Sequence, residues 1–291
     1  MHIIRQSFIS WFKDDAPSMG AAIAFYTLFA IAPILLIVIW MAGAFLGADV
    51  VQAHILAQMH GFLGEQGTAA VRALLASAAY TARSRYSTAA EVATLLIGAS
   101  SVFAELQNAL NRIWRTPPRH GLHGLWTLIR ARLLSLGFIS VIGFLLLVSL
   151  IASAGFEGLV RTNGVIEVEW QRVISVARIA LGFALTALMF ALIYKYVPDE
   201  RISWRDIWVG AAVTAALFMA GKLLIVVYLG RVVLASAYGI AGSFLVLLLW
   251  VYYAAMVFLL GAEFTCAYAY AHGSRTAAGD RIVPTVRAPS P

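Results

Sequence analysis

Charge is what this chain has least of. Only 12% of its 291 residues are Asp, Glu, Lys or Arg, against 62% hydrophobic residues, and the mean hydropathy is +0.85. A soluble domain carries about 25% charged residues. Half that density cannot cover a water-facing surface, so the sequence calls for lipid as its main solvent. Cysteine is nearly absent too: a lone Cys266 excludes an intramolecular disulfide framework and a thiolate metal site. The six histidines (His2, His54, His60, His120, His123 and His272) are scattered, and no pair has H-x-x-x-H or H-x-H spacing. No metal and no cofactor is therefore implied. Also missing are a P-loop, a G-x-S-x-G elbow and any RNA-binding sheet motif. The N-terminus lacks a short apolar region followed by a small-residue cleavage site, so no removable leader is expected.

Long apolar runs are what the chain has instead. A spanning helix needs about 20 of them, and residues 22–47, 133–155, 173–197, 207–230 and 239–264 all qualify. A sixth segment, 91–114, is the most polar. The expected fold is all-α: a polytopic membrane protein with a six-transmembrane-helix bundle, forming one integral membrane domain over 1–272. A disordered cytoplasmic tail is expected over 273–291.

Six crossings put both termini on one side. With that topology, thirteen Lys and Arg residues fall on the side of the termini, among them Arg5, Lys13, Arg115, Lys195 and Arg275, and six on the other. Positive residues stay cytoplasmic, so both termini are expected to face the cytoplasm. The excess of 21 Lys and Arg over 14 Asp and Glu then reads as orientation and contact with anionic lipid headgroups, not as nucleic-acid binding.

Residues 91–114 carry an unusual pattern for an oily helix. Glu91, Thr94, Gly98, Ser101, Glu105, Asn108 and Arg112 follow one another at alternating steps of three and four. That spacing keeps them on one helix face. A charged side chain facing acyl chains costs ~2.5–3.5 kcal/mol at the bilayer centre, so the seam is expected to face the bundle interior. Sorted by depth, Glu105, Arg112, Lys195 and Glu263 lie toward the inner end, and Glu91, Arg178 and Lys222 toward the outer. The expected pairings are Glu105 and Glu263 with Arg112 or Lys195, and Glu91 with Arg178 or Lys222. Pro33 removes a backbone donor inside the first span and is a candidate hinge. The candidate polar path or binding cavity thus comprises Glu91, Thr94, Ser101, Glu105, Asn108, Arg112, Arg178, Lys222 and Glu263. The bland alternative is that these residues only fasten helices together, each contact worth ~0.6 kcal/mol.

Two accessory pieces flank the spans. Residues 3–15 place Ile4, Phe8, Trp11 and Phe12 on one side, which suits an amphipathic helix lying in the membrane interface. Residues 48–90 are Ala-rich with apolar residues at helical spacing, and one or two external helices over the outer mouth are expected there.

Four segments carry a family resemblance: AAIAFYTLFAIAPILL (21–36), LQNALNRIW (106–114), YVPDERISWRDIWVGA (196–211) and GSFLVLLLWVYYAAMVFLLGAEFT (242–265). In this order, over about residues 5 to 270, the chain resembles the YihY/BrkB family of bacterial inner-membrane proteins. The resemblance implies a six-helix protein of the bacterial cytoplasmic membrane. Family members have been labelled transporter, virulence-associated factor and, in older usage, ribonuclease BN. The residues offer no converging His, Asp and Glu for a metal-dependent nuclease, so that last label is not supported. Three functions are weighed: a secondary transporter or exporter of an unknown small molecule or lipid, a non-transporting envelope factor that binds lipid or scaffolds, and an intramembrane lipid enzyme using Glu105 and Glu263. The first is the reading adopted, and no enzymatic activity is expected. Homo-oligomerisation is compatible with the sequence.

Overall fold

The computed structural model describes residues 2–83, 89–116, 168–200, 202–231 and 240–275, together with single helical positions at Gly137, Phe144 and Val148. Seven helices lie within them: α1 (His2–Lys13), α2 (Ala16–Leu46), α3 (Ala48–Arg83), α4 (Ala89–Ile113), α5 (Val168–Tyr196), α6 (Trp204–Arg231) and α7 (Ile240–Ala271). No strand occurs among the described residues. Five of the six expected spans coincide with α2, α4, α5, α6 and α7; the span at 133–155 falls outside the described residues apart from those three positions. Among the described residues, Ser175–Tyr196 and Phe244–Ala271 are long and apolar enough to cross a membrane. The count becomes three if the bent pair Ile3–Lys13 and Ala16–Ala32 is taken as one span.

Helix ends follow local chemistry. α1 and α2 meet at 67° across Asp14 and Asp15. Asp15 holds a left-handed backbone with φ 58°, and Pro17 stands in the first turn of α2, where its missing N–H is no loss. α2 then runs unbroken through Pro33 to Leu46. Gly47, at φ 89°, turns the chain directly into α3, with its N–H on the Gly43 carbonyl at 2.8 Å. The stretch expected to hold one or two external helices is a single helix of 36 residues.

α4 ends in a Schellman motif: the Thr116 N–H donates to the Asn111 carbonyl (2.9 Å) and the Arg115 N–H to that of Arg112 (3.1 Å). Glycine is usual at the left-handed position of this motif. Here it is Arg115, at φ 54°.

Two apolar cores fill the bundle. One joins the start of α2 to α4, the C-terminal half of α5, the N-terminal half of α6 and the C-terminal half of α7, through residues such as Met19, Leu110, Tyr194, Ile207 and Leu259. The other joins the far half of α2 to α3 and the start of α7, through Val38, Ile55, Val71 and Leu247. Phe218 packs against both.

α6 and α7 approach especially closely. A Cβ on Gly210 would overlap the Thr265 side chain, and a Cβ on Gly261 would overlap Thr214. The spacing Gly-x-x-x-Thr on both helices therefore interlocks reciprocally, the small-residue packing that membrane helices use. The buried Tyr194 hydroxyl sits beside this crossing, donating to the Phe258 carbonyl (2.7 Å) and 3.0 Å from Thr214 Oγ1.

Candidate functional site: a charged cluster at one end of the bundle

Four chain elements meet where the first core ends: the α1–α2 corner, the C-terminus of α4, the α5–α6 link and the C-terminus of α7 with the residues that follow it. Each contributes charge. At the corner, Asp14 is 4% exposed, and Arg115 Nη2 donates to both of its oxygens at 2.8 and 2.9 Å. The left-handed turn at Arg115 ends α4 beside that corner. Glu263 of α7, also 4% exposed, lies beside Asp14 within hydrogen-bonding reach, with Arg115 close by. Among the described residues its Oε1 has no hydrogen-bond partner, and neither do the buried Trp11 Nε1 and Thr116 Oγ1.

The α5–α6 link is fastened to α4 by an amide clamp. Asn111 Nδ2 donates to Asp199 Oδ2 (3.0 Å), while its Oδ1 accepts from the Asp199 N–H (2.9 Å). Gln107 Nε2 adds a longer bond to the same carboxylate oxygen, at 3.3 Å. Lys195 donates to the Ile202 carbonyl and lies over the Trp204 ring.

Residues after α7 close the cluster. Ser274 donates its hydroxyl (2.6 Å) and its N–H (3.2 Å) to the buried Asp206 in the first turn of α6. Arg275 pairs with Glu200, donates to the Tyr270 hydroxyl (3.3 Å) and lies over the Trp114 ring. Burial works against the Arg275 charge, but its bonds to Glu200 and Tyr270 outweigh that and leave its pKa raised. Gly273 to Arg275 are thus tied down at the start of the tail expected to be disordered; its remainder, 276–291, lies outside the described residues.

The expected seam meets a different fate. α4 buries Phe103, Ala109, Leu110, Ile113 and Trp114 in the first core, whereas Asn108 and Arg112 are exposed and Ser101 and Glu105 half-buried. The inner half of the seam therefore turns away from that core, because the apolar side of α4 wins the packing. The polar residues α4 does send to its neighbours, Gln107, Asn111 and Arg115, form another row at steps of four.

The expected inner-layer pairings do not form. Glu263 meets Asp14 and Arg115, not Arg112 or Lys195, and neither Glu105 nor Arg112 has an ion-pair partner among the described residues. Arg178 is exposed on α5. Lys222 is half-buried in α6 and has contacts of its own. The side chains of Glu91, Thr94 and Pro33 lie outside the described residues, and so does the outer-layer pairing of Glu91. No group of three or more His, Cys, Asp or Glu placed to hold a metal ion occurs among the described residues.

Sequence reasoning singled out Glu263 but missed Asp14, Arg115, Asn111 and Asp199 as partners. A signal was present. Asn111 lies in one of the four quoted segments, Asp199 in another and Glu263 in a third, and the cluster is where these three segments meet.

The family model described as Virulence factor BrkB matches residues 8–282. A UPF0761 membrane protein of Pseudomonas aeruginosa (strain LESB58) is 30% identical over 262 residues, covering 87% of this chain and 59% of the relative. One of Alkalilimnicola ehrlichii is 29% identical over 280 residues, covering 92% of this chain and again 59% of the relative. One of Albidiferax ferrireducens is 32% identical over 174 residues, covering 60% and 40%. The chain thus spans only 59% of the length of the first two relatives. No solved structure matches it.

Proposed function

This chain belongs to the Virulence factor BrkB family of membrane proteins, and from that footing we propose that it is a secondary transporter or exporter of a small molecule or lipid, resident in the bacterial cytoplasmic membrane. In this reading it crosses the bilayer six times with both termini cytoplasmic, and it has no enzymatic activity. The charged cluster then lies at the cytoplasmic mouth, where the exposed Ile4, Phe8 and Phe12 of α1 and the exposed Trp204 and Trp208 of α6 meet lipid at the headgroup level. The grouping of these ends agrees with the distribution of Lys and Arg along the sequence, which assigns them all to one side.

One observation carries the transport reading: Glu263, a carboxyl on an apolar helix, is buried against a second carboxyl and has an oxygen without a partner among the described residues. An ionised group buried this way costs several kcal/mol. In a membrane helix such a residue marks a substrate or ion pathway by default. Simple fastening would be served better by a fully paired group.

The test is charge movement in proteoliposomes on a solid-supported membrane, challenged with pools of polar metabolites and short-chain lipids. Transient currents that Glu263→Gln abolishes support transport. Absence of current and uptake with every pool, in protein that still binds anionic liposomes, would replace transport by the lipid-binding envelope role.

A further inference from the structure

We propose that Asp14 and Glu263 form a binding site for a single proton, held at the α1–α2 corner under the Arg115 guanidinium. Arg115 Nη2 donates to both oxygens of Asp14 at 2.8 and 2.9 Å, and the equally buried Glu263 lies beside the same Asp14 and Arg115. Ionised carboxylates are acceptors only. Two of them within hydrogen-bonding reach of each other repel unless a proton stands between them.

Charge counting leads to the same site. The titratable and charged groups that face one another here are Asp14 from the corner, Arg115 from the end of α4, Glu263 and Cys266 from α7, and Arg275 after it. Glu200 neutralises Arg275. The Cys266 thiol donates to the Ile113 carbonyl at 3.7 Å. Two carboxyls against one guanidinium leave one negative charge in excess, in a place where both acids are 4% exposed. One proton balances it.

Glu263 Oε1 is buried and has no hydrogen-bond partner among the described residues, and a buried oxygen of this kind calls for a donor, which a shared proton supplies. Arg115, with half its side chain exposed, gives the buried pair an edge in contact with solvent. Metal coordination fits less well, since no three ligating side chains are gathered among the described residues. The site stands whether or not the protein moves a solute; the role of this proton as coupling ion rests on the transport reading above.

The test is infrared difference spectroscopy of the full-length protein in liposomes, stepped across pH, which reads proton binding without any substrate. Wild type should show the carbonyl stretch of a protonated carboxylic acid, bleaching as pH rises, and Glu263→Gln should lose that band. Where Glu263→Gln misfolds, two other variants decide. Asp14→Asn should move the bleaching midpoint to lower pH by removing the like charge, and Arg115→Gln should move it to higher pH by removing the cation. No titrating band in wild type, a band unaltered in Glu263→Gln, or midpoints unmoved by both other changes would overturn the proton site. So would sodium at fixed pH shifting a carboxylate stretch where no acid band exists, because the occupant would then be a metal cation. Flux measured on the same liposomes is scored separately, so a proton site in a protein that transports nothing would be recognised as such.

Discussion

Arg115 donates one guanidinium nitrogen to both oxygens of Asp14, closing a contact between residues 101 positions apart in the chain. This ion pair ties the α1–α2 corner to the end of α4. Its carboxylate is buried and its guanidinium half exposed, so solvent screens part of the attraction. Arg115→Ala should therefore cost about 1.5–3 kcal/mol, the range for a charge-assisted hydrogen bond. Asp14→Ala added to Arg115→Ala should cost much less than Asp14→Ala alone. Unfolding in mixed detergent micelles reads both. Backbone conformation adds a second outcome. At φ 54° a side chain is disfavoured by roughly 1–2 kcal/mol, so Arg115→Gly should be more stable than Arg115→Ala by about 1 kcal/mol.

Reciprocal packing of α6 on α7 gives a prediction with built-in controls. Gly210→Ala and Gly261→Ala each drive a methyl into a threonine on the other helix and should destabilise by about 1–3 kcal/mol. Thr265→Ala should relieve part of the cost of Gly210→Ala, since the Thr265 Cβ it keeps stands 2.7 Å from the new methyl, and Thr214→Ala should relieve less of Gly261→Ala, where the Tyr194 hydroxyl at 2.7 Å stays in the way. The crossed combinations should not be rescued. Gly182→Ala on α5, where the added Cβ meets nothing within 4 Å among the described residues, should be neutral or stabilising by up to about 1 kcal/mol. Thermal melts in detergent separate these outcomes.

The amide clamp on the α5–α6 link predicts an order of effects. Asn111→Ala removes one donor and one acceptor from Asp199. Asn111→Asp goes further and sets a carboxylate against the Asp199 carboxylate. Amide hydrogen exchange at 199–200 and 202–203 should accelerate in Asn111→Ala and more in Asn111→Asp. Protection unchanged from wild type in both variants would mean that the other contacts of the link, from Gln107 and from Lys195 to Ile202 among them, hold it without Asn111.

Much of the helical framework could be read in advance because it rests on local quantities. Length and apolarity place α5 at 168–196 against an expected 173–197, and α6 at 204–231 against 207–230. What escaped is rotation and chain reversal. Helical periodicity shows that Glu105, Asn108 and Arg112 share a face, but not which neighbour that face meets. Depth alone set Glu263 level with Arg112 and Lys195, yet its partners stand on a corner made by Asp14 and Asp15 and on a left-handed turn at Arg115. Neither turn carries the glycine that would have marked it. α7 also continues to Ala271, seven residues beyond the expected end of the span at 264, which sets Glu263 two turns inside the helix and not at its end.

The orientation of α4 is open to direct chemical test, and solvation decides the expected result. Asn108 and Arg112 are exposed while Ala109 and Ile113, one residue further along in each case, are buried. A guanidinium cannot rest among acyl chains without a cost of ~2.5–3.5 kcal/mol at the membrane centre, so if α4 spans the bilayer as proposed above, its exposed side at Asn108 and Arg112 meets water or headgroups. In a Cys266→Ala background, cysteines at 108 and 112 should react with a water-soluble maleimide, and cysteines at 109 and 113 should not. The contrast between adjacent positions matters more than the absolute rate, since a frayed helix would label all four. Protection of 108 and 112 would mean that another surface covers the polar side of α4, returning the seam to the interior and weakening the case for the corner at Asp14 as the principal site.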